Sequence, residues 1–297
     1  MLSWSFNTVL GDIGLQRLET HGWHVLSTTV VTQIVFMLGC YFSAPISHYA
    51  KLSPSKKASW GMHIVSMIFS LLICTIAVPV FFTPELAADK LFGYSFYAGV
   101  VYSIACGYFL WDIAVSIFYI QETGLGFVIH AVACFSVFML SFASILPQCY
   151  TKPFLYYYGS VFLMFEASTI FLNVHWFCDK TGLTGSLFQW VNGIILLGSF
   201  FSVRIVFGIY QSVLFFGMYG TFVTCIQRWD EVPTHLFVVY AIANILLCSL
   251  NVFWFTRMIK SVVSRFKGGS NAQEDDGYGK LNKKAKTNTA GATKKHD

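Results

Sequence analysis

The sequence predicts an all-α membrane protein that crosses the bilayer about seven times, and three observations predict it. Of its 297 residues, 56% are hydrophobic and only 11% are charged, against about 25% charged in a soluble domain. The apolar residues fall into runs close to the roughly 20 needed for a helix to cross the hydrocarbon core. The runs are too long and continuous for barrel strands, and backbone polar groups in lipid must be bonded internally, which leaves helices.

The first twenty residues lack a basic start, and Gly11, Asp12 and Gly14 break their apolar run, so residues 1–23 read as a lumenal or interfacial segment rather than a signal peptide. The first span covers 24–44, modestly polar through Ser27, Thr28, Thr29, Thr32 and Gln33. The second covers 60–82 with Pro79 near its end, and the third 97–120 with Asp112. A loop with Gly124 and Gly126 leads to a fourth, 127–146, stopped by Pro147. The fifth, 154–177, opens after Pro153 with Tyr156, Tyr157 and Tyr158. Arg204 interrupts a sixth over 190–218, and the seventh, 235–256, follows Pro233. Gly93, Gly99 and Gly107 around the third span, and Gly193 and Gly198 in the sixth, are expected to let helices approach closely.

Lysine and arginine placement orients the chain. The 45–59 loop, Lys180 and the residues from Arg257 onward hold fourteen of the nineteen basic residues; the opposite side holds Arg17, Lys90, Lys152 and Arg228. The N terminus is therefore expected in the lumen and the C terminus in the cytosol. The last stretch, 261–297, is basic, polar and low in apolar residues, the composition of a disordered tail. Basic residues concentrated there give no nucleic-acid surface. The eight cysteines are scattered without a C-x-x-C pair, which argues against a zinc site or a disulfide framework, and no cofactor motif is present.

Ionisable groups inside a span are costly and mark functional candidates. Helix rise places His63, Asp112, His130, Asn173 and His175 toward the cytosolic end, and Glu166 and Arg204 at mid-depth. The first group could assemble a His–Asp pair of the kind general-base chemistry uses. The second could form an ion pair that either clasps two helices or belongs to a site. The thirty phenylalanines and fifteen tyrosines are read as packing.

Several of these strings resemble the TLC domain, shared by ceramide synthases, translocating-chain-associated membrane proteins and a ceroid-lipofuscinosis protein. They are HIVSMIFS beginning at His63, YFLWD ending at Asp112, FVIHA around His130, LMFEASTIFLNVHWF containing Glu166 and Asn173, and FFSVR ending at Arg204. The resemblance covers residues 55–260 and is nearest to small TLC-domain-only proteins of ascomycete fungi; residues 24–54 are left as one additional span and its loop. It implies six helices around a lipid-accessible cavity, residence in the endoplasmic reticulum and membrane lipids as partners. His63, Asp112, His130, Glu166, Asn173 and Arg204 are the candidate polar residues of that cavity. The ceramide synthases of the family carry adjacent histidines and a paired-aspartate motif. Here Ala131 follows His130, and Glu166 stands in a fifth span without an H-D-x-x-D string.

Two readings follow: a lipid-homeostasis factor that binds a sphingolipid or phospholipid without catalysis, or a lipid acyltransferase in which His130 and Asp112 carry the chemistry. A third is a cargo or interaction protein. Lys294 and Lys295 in the terminal KKHD look like a dilysine retrieval signal, which implies recognition by a coat protein.

Overall fold

The structure, a computed structural model, describes residues 16–142, 154–220 and 234–267, and every regular element among them is helical. Chain contacts divide it into two units, residues 1–255 and 256–297. The expected stop at Pro147, residues 268–297 of the tail, and with them Lys294 and Lys295, lie outside the described residues; residues 261–267, expected in that tail, continue the last helix.

The elements run α1 Gln16–Ser43, α2 Ser47–Ala50, α3 Pro54–Ala77 continued by a 3₁₀ turn Val78–Phe82, α4 Pro84–Ala88, α5 Phe96–Phe118 and α6 Ile120–Thr123. They continue with α7 Leu125–Leu140, α8 Tyr156–Leu163, α9 Glu166–Lys180, α10 Leu187–Phe200, a π-helical turn Phe201–Phe207, α11 Gly208–Gly220 and α12 Thr234–Lys267. Among the described residues six spans are long and apolar enough to cross a membrane: Leu18–Ser43, Pro54–Phe82, Phe96–Phe118, Tyr156–Lys180, Leu187–Leu214 and Leu236–Val263; α7 is apolar but shorter, Leu125–Leu140. The chain is a multi-pass, all-helical membrane protein. Its first span starts two turns before the expected residue 24, because Gln16 to His21 already hold helical geometry. The tight Tyr119–Gly124 connection starts α7 at once, with Gly124 at a positive φ of 82° that a side chain would resist.

Local chemistry sets the helix starts. Ser53 accepts a hydrogen bond from the Lys56 amide with Pro54 as the first helical residue of α3; Ser95 does the same for Ala98 at α5, and Ser186 for Gln189 at α10. Each satisfies one amide that the helix leaves open.

α5 is the central helix, packed on α1, α3 and α7, while α3 carries α9 and α9 carries α10. The polar residues of α1 explain themselves here. Thr29 donates to the Gly107 carbonyl at 2.9 Å, and Trp111 Nε1 donates to Gln33 Oε1 at 2.8 Å, so α1 and α5 are joined by hydrogen bonds as well as by contact. A β-carbon on Gly107 would stand 2.5 Å from the Val25 carbonyl, and one on Gly99 would stand 2.2 Å from the His21 ring. These two glycines permit close approach as the sequence suggests. Gly198 does not, since nothing lies within 4 Å of its added β-carbon, and Gly93 packs against its own turn at Asp89 and Glu85 instead of another span.

Candidate functional site

The fifth and sixth spans both depart from α-helical geometry, and they do so beside each other's charge. The fifth breaks at Met164–Phe165 between α8 and α9, where amides bond three residues back, Phe165 to Phe162 and Ala167 to Met164. The sixth widens into the π-turn that contains Arg204. Irregular backbone at membrane depth is tolerated where protein or a cavity covers it, and π-turns are often found at functional sites. Gly208 makes room for the break, as its β-carbon would meet the Phe165 ring at 2.6 Å.

Arg204 is 6% exposed and Glu166 8%, with Nη2 and Oε1 3.5 Å apart. The guanidinium also donates from Nε to Ser168 Oγ at 2.9 Å, from Nη2 to Thr169 Oγ1 at 2.8 Å and from Nη1 to Asn251 Oδ1 at 3.2 Å. Ser70 donates to the other carboxylate oxygen, Oε2, at 3.1 Å. Phe165 and Phe200 flank the guanidinium, 5.8 and 5.2 Å away. A buried ion pair of this kind compensates its desolvation only when neighbouring groups complete the hydrogen bonding, and here four polar side chains besides Glu166 do so.

The pair sits on the wall of a cavity that is partly open to the surroundings. The wall is mainly apolar, with Phe109, Phe138, Phe162 and Leu247 prominent, and His130 is part of it. Polar groups mark both ends. At one end His130 lies beside Trp254, ring centroids 5.5 Å apart, near Arg204 and Asn251. At the other, Ser141 and Tyr240 hydroxyls meet at 2.9 Å. His130 to Ser141 and Tyr240 to Asn251 are each eleven residues along a helix, so the ends are about 16 Å apart at 1.5 Å per residue. α12 stands across the cavity and reaches the facing helices through the side chains of Tyr240, Asn251 and Trp254.

The remaining candidates lie outside this lining. His63 donates through Nδ1 to Asn173 Oδ1 at 2.7 Å, Asn173 Nδ2 donates to Ser66 Oγ at 3.1 Å, and Trp176 stacks on His63 at 4.1 Å. That cluster ties α3 to α9. Asp112 accepts from Ser116 one turn along its own helix at 3.2 Å; the His–Asp pair open to the sequence does not form among the described residues. His130 Nε2 instead lies 3.7 Å from the Cys134 sulfur. His175 lies against Gly193, its ring 3.6 Å from where a β-carbon would be. No group of three potential metal ligands converges among the described residues, and their six cysteines are free.

Sequence reading missed Asn251, Asn244 and the phenylalanines that form the wall. The amides carry no charge and so escaped a search for ionisable groups in the spans. Ser168 and Thr169 did carry a signal, lying two and three residues after Glu166.

Outside the spans, Glu122 in α6 pairs with Lys56 at 3.2 Å. A hydrogen bond from Ser55 first, and the Lys56 charge second among the favourable contacts, hold its carboxyl below the usual glutamate range.

Helical spans around a mainly apolar cavity with a charged, hydrogen-bonded end define a polytopic membrane protein. The TLC-domain family model matches residues 59–260, and the chain belongs to that family. It is similar to an uncharacterized TLC domain-containing protein of Schizosaccharomyces pombe, 38% identical over 86% of this chain and 83% of the relative. It is also similar to the Topoisomerase I damage affected protein 4 of Saccharomyces cerevisiae, 31% identical over 81% and 84%. The Homo sapiens TLC domain-containing protein 4 is 26% identical over 80% and 89%. No solved structure matches the chain.

Proposed function

We propose that this protein acts in membrane lipid homeostasis, holding one lipid in the α7–α12 cavity without changing it covalently. The observation that carries the reading is the cavity's form. It is a mainly apolar chamber with polar ends about 16 Å apart, roughly half of the ~30 Å hydrocarbon core and so the depth one leaflet's chains occupy. A phenylalanine-rich wall suits an acyl chain, and the Glu166–Arg204–Asn251 end suits a headgroup.

A binding role is favoured over acyl transfer because His130 has a thiol and two aromatic rings beside it, while Asp112 is bound to Ser116. An imidazole that must take a proton from an amine works best with a carboxylate to stabilise its charged form, and among the described residues none bonds it. Purified protein given a sphingoid base and an acyl-CoA should form no amide above background. Turnover that disappears in His130→Ala would establish the acyltransferase reading instead.

The membrane we propose is the endoplasmic reticulum, with the N terminus lumenal and the C terminus cytosolic. The Lys and Arg asymmetry supports the orientation, and the terminal Lys294 and Lys295 support retrieval by coat proteins. A tag at residue 52 and one at the C terminus should both be open to protease in intact microsomes. Serine at both lysines should send a tagged copy onward to the Golgi; an intact protein found at the plasma membrane would refute the address.

A further inference from the structure

Building on the cavity reading above, we propose that the ligand is an uncharged single-chain lipid whose head offers hydroxyl or amide groups, and that lipids with a phosphate or an ammonium head are excluded. Charge balance at the head end carries this. The two formal charges in the cavity wall are Glu166 and Arg204, and they already face each other at 3.5 Å. Three more of the five Arg204 N–H groups go to Ser168, Thr169 and Asn251, and Glu166 accepts from Ser70. A phosphate entering beside them would compete with Glu166 for the buried Arg204 cation and leave the site with uncompensated negative charge. An ammonium would do the reverse.

Either exchange is costly in a medium of low dielectric, where an unpaired charge is penalised far more than in water. Asp112 lies outside the lining and accepts from Ser116, so it brings no counter-charge to the cavity wall. An uncharged head meets no such penalty. The Asn251 amide, which lends only its oxygen to Arg204, and the His130 ring, whose polar contact is a thiol at 3.7 Å, are groups a hydroxyl or amide can bond. The cavity's mainly apolar wall then holds the chain.

Three single-chain probes with the same diazirine in the chain separate the possibilities: a monoacylglycerol, the corresponding lysophosphatidate and a long-chain amine. They are crosslinked to the full-length protein in nanodiscs, and the labelled peptides are mapped. Labelling of the segments around 130–141 or 240–254 by the monoacylglycerol, on the order of tenfold or more above the two charged probes, is the expected result. Two near-isosteric variants then shift the balance in opposite directions. Glu166→Gln leaves Arg204 uncompensated and should bring the lysophosphatidate into the cavity. Asn251→Asp adds a carboxylate and should bring in the amine.

Equal cavity labelling by all three probes in the wild type overturns the uncharged-head proposal and leaves the cavity reading standing. Preference for either charged probe overturns it too. Absence of cavity labelling by every probe removes the cavity reading itself, and this proposal with it. If either variant fails to fold, judged by a monodisperse peak and a cooperative thermal transition, the wild-type panel decides alone.

Discussion

The two sides of the helical unit solve the same problem in opposite ways. Around α5, spans are pressed together: Gly99 receives the His21 ring, Gly107 receives the α1 backbone, and Ala98, Ala105 and Cys106 are fully buried. Around α12 the spans stand farther apart and meet through side chains. The breaks at Met164–Phe165 and Phe201–Phe207, together with long side chains from α12, keep space between them that polar groups brace at both ends. Small residues close a bundle, and a braced ion pair with irregular backbone opens one. The packed side therefore should be sensitive to added volume, and the open side to lost hydrogen bonds.

The largest effect should come from the brace. Arg204→Ala leaves Glu166 buried without its partner, and removing one member of a buried pair costs about 3–5 kcal/mol. Thermal unfolding in mild detergent should show a collapse of the transition or no folded protein at all. A variant as stable as the wild type would mean that the pair does not hold the open side.

Volume tests the packed side. Gly107→Ala puts a methyl against the Val25 carbonyl, 2.5 Å away, and backbone cannot step aside as a flexible side chain does, so a loss of about 1–3 kcal/mol is expected. Gly198→Ala meets nothing within 4 Å and should be neutral or stabilising by up to about 1 kcal/mol through helix propensity. Comparable losses at the two glycines would erase the contrast.

The contrast also shows what the sequence could convey. Seven apolar runs announced the helices, and Glu166 and Arg204 announced their own meeting, because two opposite charges at one depth have few alternatives to each other. The Thr and Gln residues of the first span were visible as polarity, but their partners were not, since a helix period does not say which neighbour a face meets. Asp112 and His130 suggested a pair by type and depth; the helices direct them to Ser116 and to the cavity instead. The cavity was implied by family resemblance alone. Its position follows from the π-turn and the break before Glu166, which no Pro or Gly within FFSVR or LMFEAST foretells.

A smaller effect is expected from the cluster that ties α3 to α9. Asn173→Ala leaves His63 Nδ1 without its 2.7 Å acceptor, and an orphaned buried donor costs about 1–3 kcal/mol. Trp176 still covers the ring, so His63→Phe in the same background should recover part of the loss, measured as the thermal midpoint. No recovery would show that the bond is not what the pair contributes.

The smallest is at the Lys56–Glu122 contact. A carboxyl held below its usual range contributes stability that is present above about pH 4.3 and is lost as pH falls through the depressed folded value. Lys56→Ala should therefore cost less than about 1 kcal/mol near neutral pH, the pair being partly exposed and screened. The difference from wild type should vanish once Glu122 is protonated. A difference that persists in acid would assign the effect to packing of the lysine stem.

The central claim is that the space between α7 and α12 is occupied by one lipid chain. Native mass spectrometry of protein taken directly from its own membranes tests it, compared with Cys248→Phe, which places a ring in the cavity wall. The account predicts a one-to-one lipid adduct on the wild type and its loss in the variant, at an unchanged thermal midpoint. An adduct of equal abundance on both proteins, or none on the wild type, would contradict it.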